Sequence, residues 1–210
     1  MSDIRIYTGR GCGWAVRNYA ALREKGVEFT AIPAVDGDGN KLPEFLAATP
    51  YGKTPVLVEG ETTVFESTII NEYIDERYPQ PPLMPDDPRE RAAGRKWGHY
   101  CDNSLLPQLT VIARSKPADR EAAVAALERP LDRLEATLLA VRSAGPYFFG
   151  DRFSLLDIAF HTFFTTLDAV RRQAASEHAV LPPMLHGWRE AVRDRESIRY
   201  AETFRDTLAF

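Results

Sequence analysis

Cysteine is scarce in this chain: 210 residues hold two, Cys12 and Cys101. Two cysteines do not staple a chain of this size, so each reads as a free thiol, reactive or simply buried, and a reducing cytoplasm is the expected setting. No apolar run is long enough to span a bilayer, so no membrane partner is expected. The opening Met1-Ser2-Asp3-Ile4-Arg5 lacks the layout of a signal peptide. There is no excess of positive charge. The net charge of −4 removes the electrostatic case for nucleic acid. The four histidines, His99, His161, His178 and His186, lack metal-ligand spacing, and no metal site is expected. No repeat at a solenoid period and no low-complexity segment interrupts the chain.

With 44% hydrophobic and 27% charged residues, the sequence is that of an ordinary globular protein. Its first 80 residues alternate strand and helix signals. Ile4 to Tyr7 is a short strand; Ala15, Val16, Tyr19, Ala20 and Leu22 recur at helical spacing; Gly26 ends that helix, and Val27 to Ile32 is a second strand, giving β-α-β. Asp36 to Asn40 is a loop without the spacing of a calcium site, and Pro43 to Ala48 a short helix. Pro55 to Val58 and Thr62 to Phe65 form a hairpin, after which Ser67 opens a helix with Ile70, Tyr73, Ile74 and Tyr78 toward a core. The prolines at 79, 81, 82, 85 and 88 make a stiff connection. The domains are therefore expected at 1–80, α/β, and at 89–210, all-α, with 81–88 as linker. In the second, Glu90 to Ala113 reads as one helix kinked at Pro107, and Ala118 to Ser143 as another bent at Pro130. Ser154-Leu155-Leu156-Asp157 is a capping-box pattern with a structural role, and Pro182-Pro183 precedes a helix carrying Leu185, Trp188 and Val192. Trp97, Tyr100, Leu105 and Leu109 share a helical spacing that suits a bundle core better than a substrate wall.

Cys12 stands where the first strand ends and the first helix begins. Unpaired N–H groups and the positive end of the helix dipole favour thiolate over thiol there, and Arg10 adds charge nearby. A normal thiol, with a pKa of about 8.5, is only a few per cent ionised at neutral pH. The expectation for Cys12 is a nucleophile, against the plainer reading of a small buried residue. Position 15 is Ala, so no Cys-x-x-Cys disulfide cycle is possible, and any thiol chemistry here needs an external thiol.

Four segments together resemble the cytosolic glutathione transferases. Tyr51-Gly52-Lys53-Thr54-Pro55-Val56-Leu57 is similar to that family's cis-proline segment. Phe65-Glu66-Ser67 with the helix after it is similar to its glutathione-binding Glu-Ser start. Phe153-Ser154-Leu155-Leu156-Asp157-Ile158-Ala159 is similar to its N-capping box. Arg5-Ile6-Tyr7 with Cys12, Trp14 and Ala15 most resembles the omega class, although Gly13 stands where that class usually has Pro. The resemblance implies a thioredoxin-like N-terminal domain plus an all-α C-terminal domain, glutathione as cosubstrate, and a homodimer.

It also implies roles for particular residues. Ser67 would offer hydroxyl and N–H groups to the γ-glutamyl carboxylate, and Glu66 would pair with the γ-glutamyl ammonium. Thr54, before a cis Pro55, would present its backbone to the cysteinyl part. Lys41, or alternatively Lys53, would meet the glycyl carboxylate; Trp14 would wall the sulfur; and Cys12 would be catalytic. Tyr7 looks like a core position, and Thr8 and Ser2 are weaker hydroxyl candidates. The leading function is glutathione-dependent thiol transfer, reducing mixed disulfides or small oxidants. The alternatives are conjugation of glutathione to an electrophile with Cys12 a bystander, and a non-enzymatic regulatory binder on the same fold.

Overall fold

A computed structural model of the chain describes residues 3–127, 131, 144–174 and 185–207. The described residues divide into two compact units, those of 3–82 with 195–207, and those between 83 and 194.

The first unit is built on strand β1 (Ile4–Thr8), whose Ile4, Ile6, Tyr7 and Thr8 are buried. Helix α1 (Gly13–Glu24) follows and buries Ala15 through Leu22. Strand β2 (Thr30–Pro33) pairs parallel with β1, Ile6 opposite Ala31. Residues 27–29 are not part of it. Val27 donates its N–H to the Leu22 carbonyl (3.0 Å), and Phe29 stacks on Tyr19 with ring centroids 4.9 Å apart. The apolar run is therefore spent first on α1 and only then on the sheet. After the short helix α2 (Pro43–Ala47), strands β3 (Val56–Glu59) and β4 (Thr62–Phe65) form the expected hairpin, giving the order β2-β1-β3-β4 with β3 antiparallel to both neighbours. Helix α3 (Ser67–Arg77) buries Ser67, Ile70, Asn71 and Ile74, one face at helical spacing. This is a thioredoxin-like arrangement.

The second unit is helical. Helix α4 (Pro88–Tyr100) is capped by Asp87, whose carboxylate accepts from the N–H groups of Arg89 (2.8 Å) and Glu90 (3.1 Å). The helix expected over 90–113 runs without a break as α4, a π-helical turn over Cys101–Leu105, and α5 (Leu106–Arg114), the irregularity lying just before Pro107. Pro107 lacks an N–H to give the helix four residues back, and the chain accommodates it with one wider turn. Helix α6 (Pro117–Ala125) begins the next segment; Pro130 and most of the expected helix to Ser143 lie outside the described residues, as do Pro182-Pro183 and His178. Helix α7 (Leu155–Ala174) and helix α8 (His186–Arg193) meet in an aromatic core of Phe148, Phe160, Phe164 and Trp188. Asp157 is fully buried there. Its carboxylate accepts from Phe148 N–H (3.0 Å), Ser154 N–H (2.9 Å), the Ser154 hydroxyl (2.6 Å) and Trp188 Nε1 (2.7 Å). Burial pushes this carboxyl up and the four donors pull it back. The carboxylate reaches back to the Ser154 N–H as a capping box requires, but the Ser154 hydroxyl donates to it rather than accepting from the helix.

Helix α9 (Glu196–Thr207) packs with the first unit rather than with α4–α8, a difference from a helical domain running unbroken over 89–210. Arg23 grips Glu196 through two nitrogens (2.8 and 2.9 Å), Arg195 grips Glu24 (2.7 Å), and Tyr19, Phe29 and Phe204 form a mutual ring cluster. The exposed Arg23–Glu196 pair contributes little; the ring packing around the buried Tyr19 contributes most of the hold. Among the described residues no helix is long and apolar enough to cross a membrane, and no group of His, Cys, Asp and Glu is placed to hold a metal.

Candidate functional site

The residues singled out in the first unit gather at the junctions between its strands and helices. Cys12 is the N-cap of α1, half-buried, with no side-chain cap on that turn. Gly9 O accepts from the Cys12 N–H (3.1 Å), so the loop folds tightly under the sulfur. Cys12 Sγ lies 3.5 Å from Thr54 Oγ1. Thr54 precedes Pro55 through a cis peptide, as the sequence reading expected. The end of β1 and the start of β3 thus bring together two residues 42 positions apart.

From Thr54 a cleft of about 230 Å3 runs toward α3, passing Pro55 and Lys53 and ending at Glu66 and Ser67, with Trp14, Tyr51 and Phe65 as aromatic walls. A second hollow of about 370 Å3 shares Lys53 and Thr54 and is closed by Lys41, Phe45 and Gly52. Together they are of the size that small-molecule sites occupy. The chemistry changes along this path. One end carries a helix start, the middle a backbone edge beside a sulfur, the other end two exposed lysines.

Glu66 is the non-glycine residue with positive φ among those described (φ 70°, ψ 115°), and it forms the N-cap of α3 with an exposed side chain. Such a conformation costs about 1–3 kcal/mol and persists only where its surroundings hold it. Ser67 is buried at the first helical position. At the other end Gly52 has a positive φ (55°), which favours glycine, and a Cβ there would stand tight against Lys41 Nζ (3.1 Å) and Leu46 Cδ2 (3.2 Å). Lys41 therefore lies over the Gly52 backbone and shares the second hollow with Lys53. Trp14 is 36% exposed at the rim, and the Arg17 guanidinium sits 4.7 Å above its ring.

Other candidates fall away from the cleft. Tyr7 is in the core with Phe45 and Val56. Thr8 is buried and donates to the Gly9 carbonyl (3.3 Å). Ser2 lies outside the described residues. Cys101 is fully buried, its Sγ 3.6 Å from the Ala159 carbonyl. Leu105 and Leu109 are core residues, while Trp97 and Tyr100 are half-buried and meet edge to face. Tyr19, two turns below Cys12, is pushed up to about 12 by burial, with negative charge at Cys12 adding to the effect and the Thr8 hydroxyl opposing it. It stays a neutral phenol at any working pH.

Sequence reasoning missed Thr49, Tyr51 and Phe65 in the cleft wall, and the buried Asn18 and Asn71 behind it. The last two carried a signal: each amide stands among the apolar residues of a helix, Asn18 beside Tyr19 and Asn71 beside Ile70. Asn18 Nδ2 donates to the Ser67 carbonyl (2.8 Å) and to Asn71 Oδ1 (2.6 Å).

Residues 2–76 match the N-terminal domain of glutathione S-transferases, and residues 117–191 match the C-terminal domain of the same family. The chain is 34% identical over 187 residues to glutathione S-transferase U19 of Arabidopsis thaliana, an alignment covering 88% of this chain and 83% of that one. It is 31% identical over 192 residues to glutathione S-transferase omega-1 of Sus scrofa, covering 90% and 76%. Its structure is similar to that of rice GST1 in complex with glutathione, with a TM-score of 0.80 at 25% identity over 97% of this chain and 93% of that one.

Proposed function

The chain belongs to the glutathione S-transferase family, and from that premise we propose that it is an omega-like thiol transferase that binds glutathione along this cleft and uses Cys12 as nucleophile. The observation that carries this reading is the sulfur at an uncapped helix N-terminus, 3.5 Å from the hydroxyl of the residue before a cis-proline.

The cleft fits the tripeptide in chemistry. The start of α3 supplies Ser67 and the positive end of a helix for the γ-glutamyl carboxylate, and the exposed Glu66 carboxylate supplies a partner for the ammonium. Thr54, just before β3, presents its backbone to the cysteinyl peptide groups. Lys41 and Lys53 supply charge for the glycyl carboxylate. Bound this way, the cosubstrate's sulfur lies at Thr54, next to Cys12, with Trp14 shielding one side.

Cys12 as thiolate attacks the glutathionyl sulfur of a mixed disulfide. A bond forms between Cys12 Sγ and that sulfur, the original S–S bond breaks, and the substrate leaves as thiolate and takes a proton from water. A second glutathione thiolate then attacks the same sulfur. Oxidised glutathione departs and Cys12 returns as thiolate. The sum converts a mixed disulfide and one glutathione into a thiol and glutathione disulfide, and the absence of a second cysteine at position 15 makes the external thiol obligatory. A homodimer and the division of the chain at the 81–88 linker belong to the same proposal.

Intact-mass analysis after exposure to oxidised glutathione tests it. One glutathione adduct per chain is expected, lost in Cys12→Ala. A variant that loses disulfide reduction yet keeps full conjugation of an electrophile separates the two activities and confirms the role given to Cys12. An unmodified parent, or an adduct that persists in Cys12→Ala, overturns it.

A further inference from the structure

Asn18 and Asn71 are buried, at 0% and 4% exposure, where α1 faces α3. Asn18 lies six residues after Cys12 on α1; Asn71 lies four residues after Ser67 on α3. The Asn18 amide spends both its hydrogens across the gap between the helices, on the Ser67 carbonyl and on Asn71 Oδ1. Turning the amide over would set its oxygen against two oxygens, so its orientation is fixed by its acceptors. The remaining Asn18 Oδ1 is buried and meets no donor.

That orphan acceptor is the informative atom. Two apolar side chains of the same size would join α1 to α3 without it, and replacing both partners of a buried hydrogen bond by apolar groups is often close to neutral for stability. What an apolar pair does not supply is a single register. Two hydrogen bonds of 2.8 and 2.6 Å to neighbouring turns of α3 fix both the slide and the rotation of α1 against it, whereas packed methyl groups tolerate either.

The two helices carry different halves of the site. Helix α1 carries Cys12 and Trp14. The anchors assigned to glutathione, Lys41, Thr54, Glu66 and Ser67, lie on α2, β3 and α3 or next to them. We infer that the Asn18–Asn71 pair is a positioning device for the reaction, holding the Cys12 sulfur in register with a tripeptide bound by the start of α3. The inference rests on the thiol-transfer reading above. Loosening the pair moves the nucleophile relative to its target while the anchors move together, so binding is kept and attack slows. A displacement of about 1 Å can cost about a hundredfold in rate.

The test is the double variant Asn18→Leu with Asn71→Leu, beside the parent and Asn71→Leu alone, in the full chain. Three quantities are measured: the melting temperature, the dissociation constant for glutathione by titration calorimetry, and the rate of Cys12–glutathione disulfide formation from oxidised glutathione. Asn71→Leu, which leaves the Asn18 amide short of an acceptor, lowers the melting temperature. The double variant recovers most of that loss and binds glutathione within twofold of the parent, yet forms the disulfide at least tenfold more slowly. Unaltered binding certifies that its site is folded whatever its melting temperature. A rate within twofold of the parent overturns the inference and leaves the pair purely structural. Binding weakened in proportion to the rate also overturns it, because the pair would then act on the anchors. A parent that binds glutathione but gives no Cys12 adduct fails the thiol-transfer reading itself, and with it this inference; the parent control tells that failure apart from the others.

Discussion

Replacing Asp157 with Ala removes the acceptor for four buried donors. Three are N–H groups with fixed directions, those of Phe148, Ser154 and the Trp188 indole, on residues no more than 2% exposed; the fourth, the Ser154 hydroxyl, can turn elsewhere. Each stranded N–H costs about 1–3 kcal/mol. Against this stands the recovered cost of holding a carboxylate away from water, the cause that pushes its titration upward. The net loss is about 3.5 kcal/mol. An unfolding entropy of about 2.1 cal/mol/K per residue turns that into a fall of about 8 °C if the whole chain melts together, and about 15 °C if residues 83–194 melt alone. Asp157→Asn keeps one acceptor oxygen and turns an NH2 toward the Ser154 N–H, so its fall is about half as large. Thermal unfolding followed by near-ultraviolet circular dichroism, which reports the Trp188 environment, is the assay. A fall under 2 °C for Asp157→Ala, or equal falls for the two variants, would refute the view that this carboxylate is the hub of the helical unit.

Two further outcomes follow from the first unit. Glu66→Gly removes a strained backbone and a carboxylate at once. Strain relief of about 1–3 kcal/mol less the chain-entropy cost of glycine leaves a gain of about 1 kcal/mol, or about 2 °C, while glutathione affinity falls about tenfold; melting and binding changing in the same direction would contradict it. Glu59 accepts from the Tyr73 hydroxyl (2.6 Å) and the Tyr78 hydroxyl (2.7 Å); burial works against its charge, but these donors and Arg77 outweigh it and hold the carboxyl below the usual 4.5. The unfolded chain therefore binds the extra proton first. The stabilisation is whole above about pH 4.5 and is lost as pH falls through the folded value. In urea titrations across pH 3 to 6, Glu59→Gln has a flatter acid limb than the parent, and an unchanged slope would remove Glu59 from the account.

The parts of the site legible in the sequence are those whose chemistry is local. A cysteine at a strand-to-helix junction, Thr54 before proline and Glu66-Ser67 at a helix start announce themselves because each junction favours few residue types. Residues whose meaning depends on a distant partner do not. Asn18 and Asn71 meet across 53 positions, and neither position shows the other. Strand β2 began later than its composition suggests because Phe29 satisfies Tyr19 before the chain reaches the sheet, and β-rich residues suit either use equally. The wide turn at Cys101–Leu105 was legible only as a proline-induced kink, since Pro107 says that the helix must yield but not how. The Ser154–Asp157 spacing announces a cap, whereas the reach of Asp157 to Trp188, 31 residues on, makes it the centre of a core.

The return of α9 to the side of α1 has a consequence for biosynthesis. Residues 1–82 carry Tyr19 and Phe29 on a surface that Tyr200 and Phe204 complete, together with Arg23 and Glu24, whose counter-ions are Glu196 and Arg195. A ribosome delivers those closing residues after the whole of 83–194 has been translated. The nascent segment that bears the reactive sulfur thus waits, with an aromatic flank uncovered, until the helical insert has been made, and a chaperone that shields such flanks has its longest opportunity here.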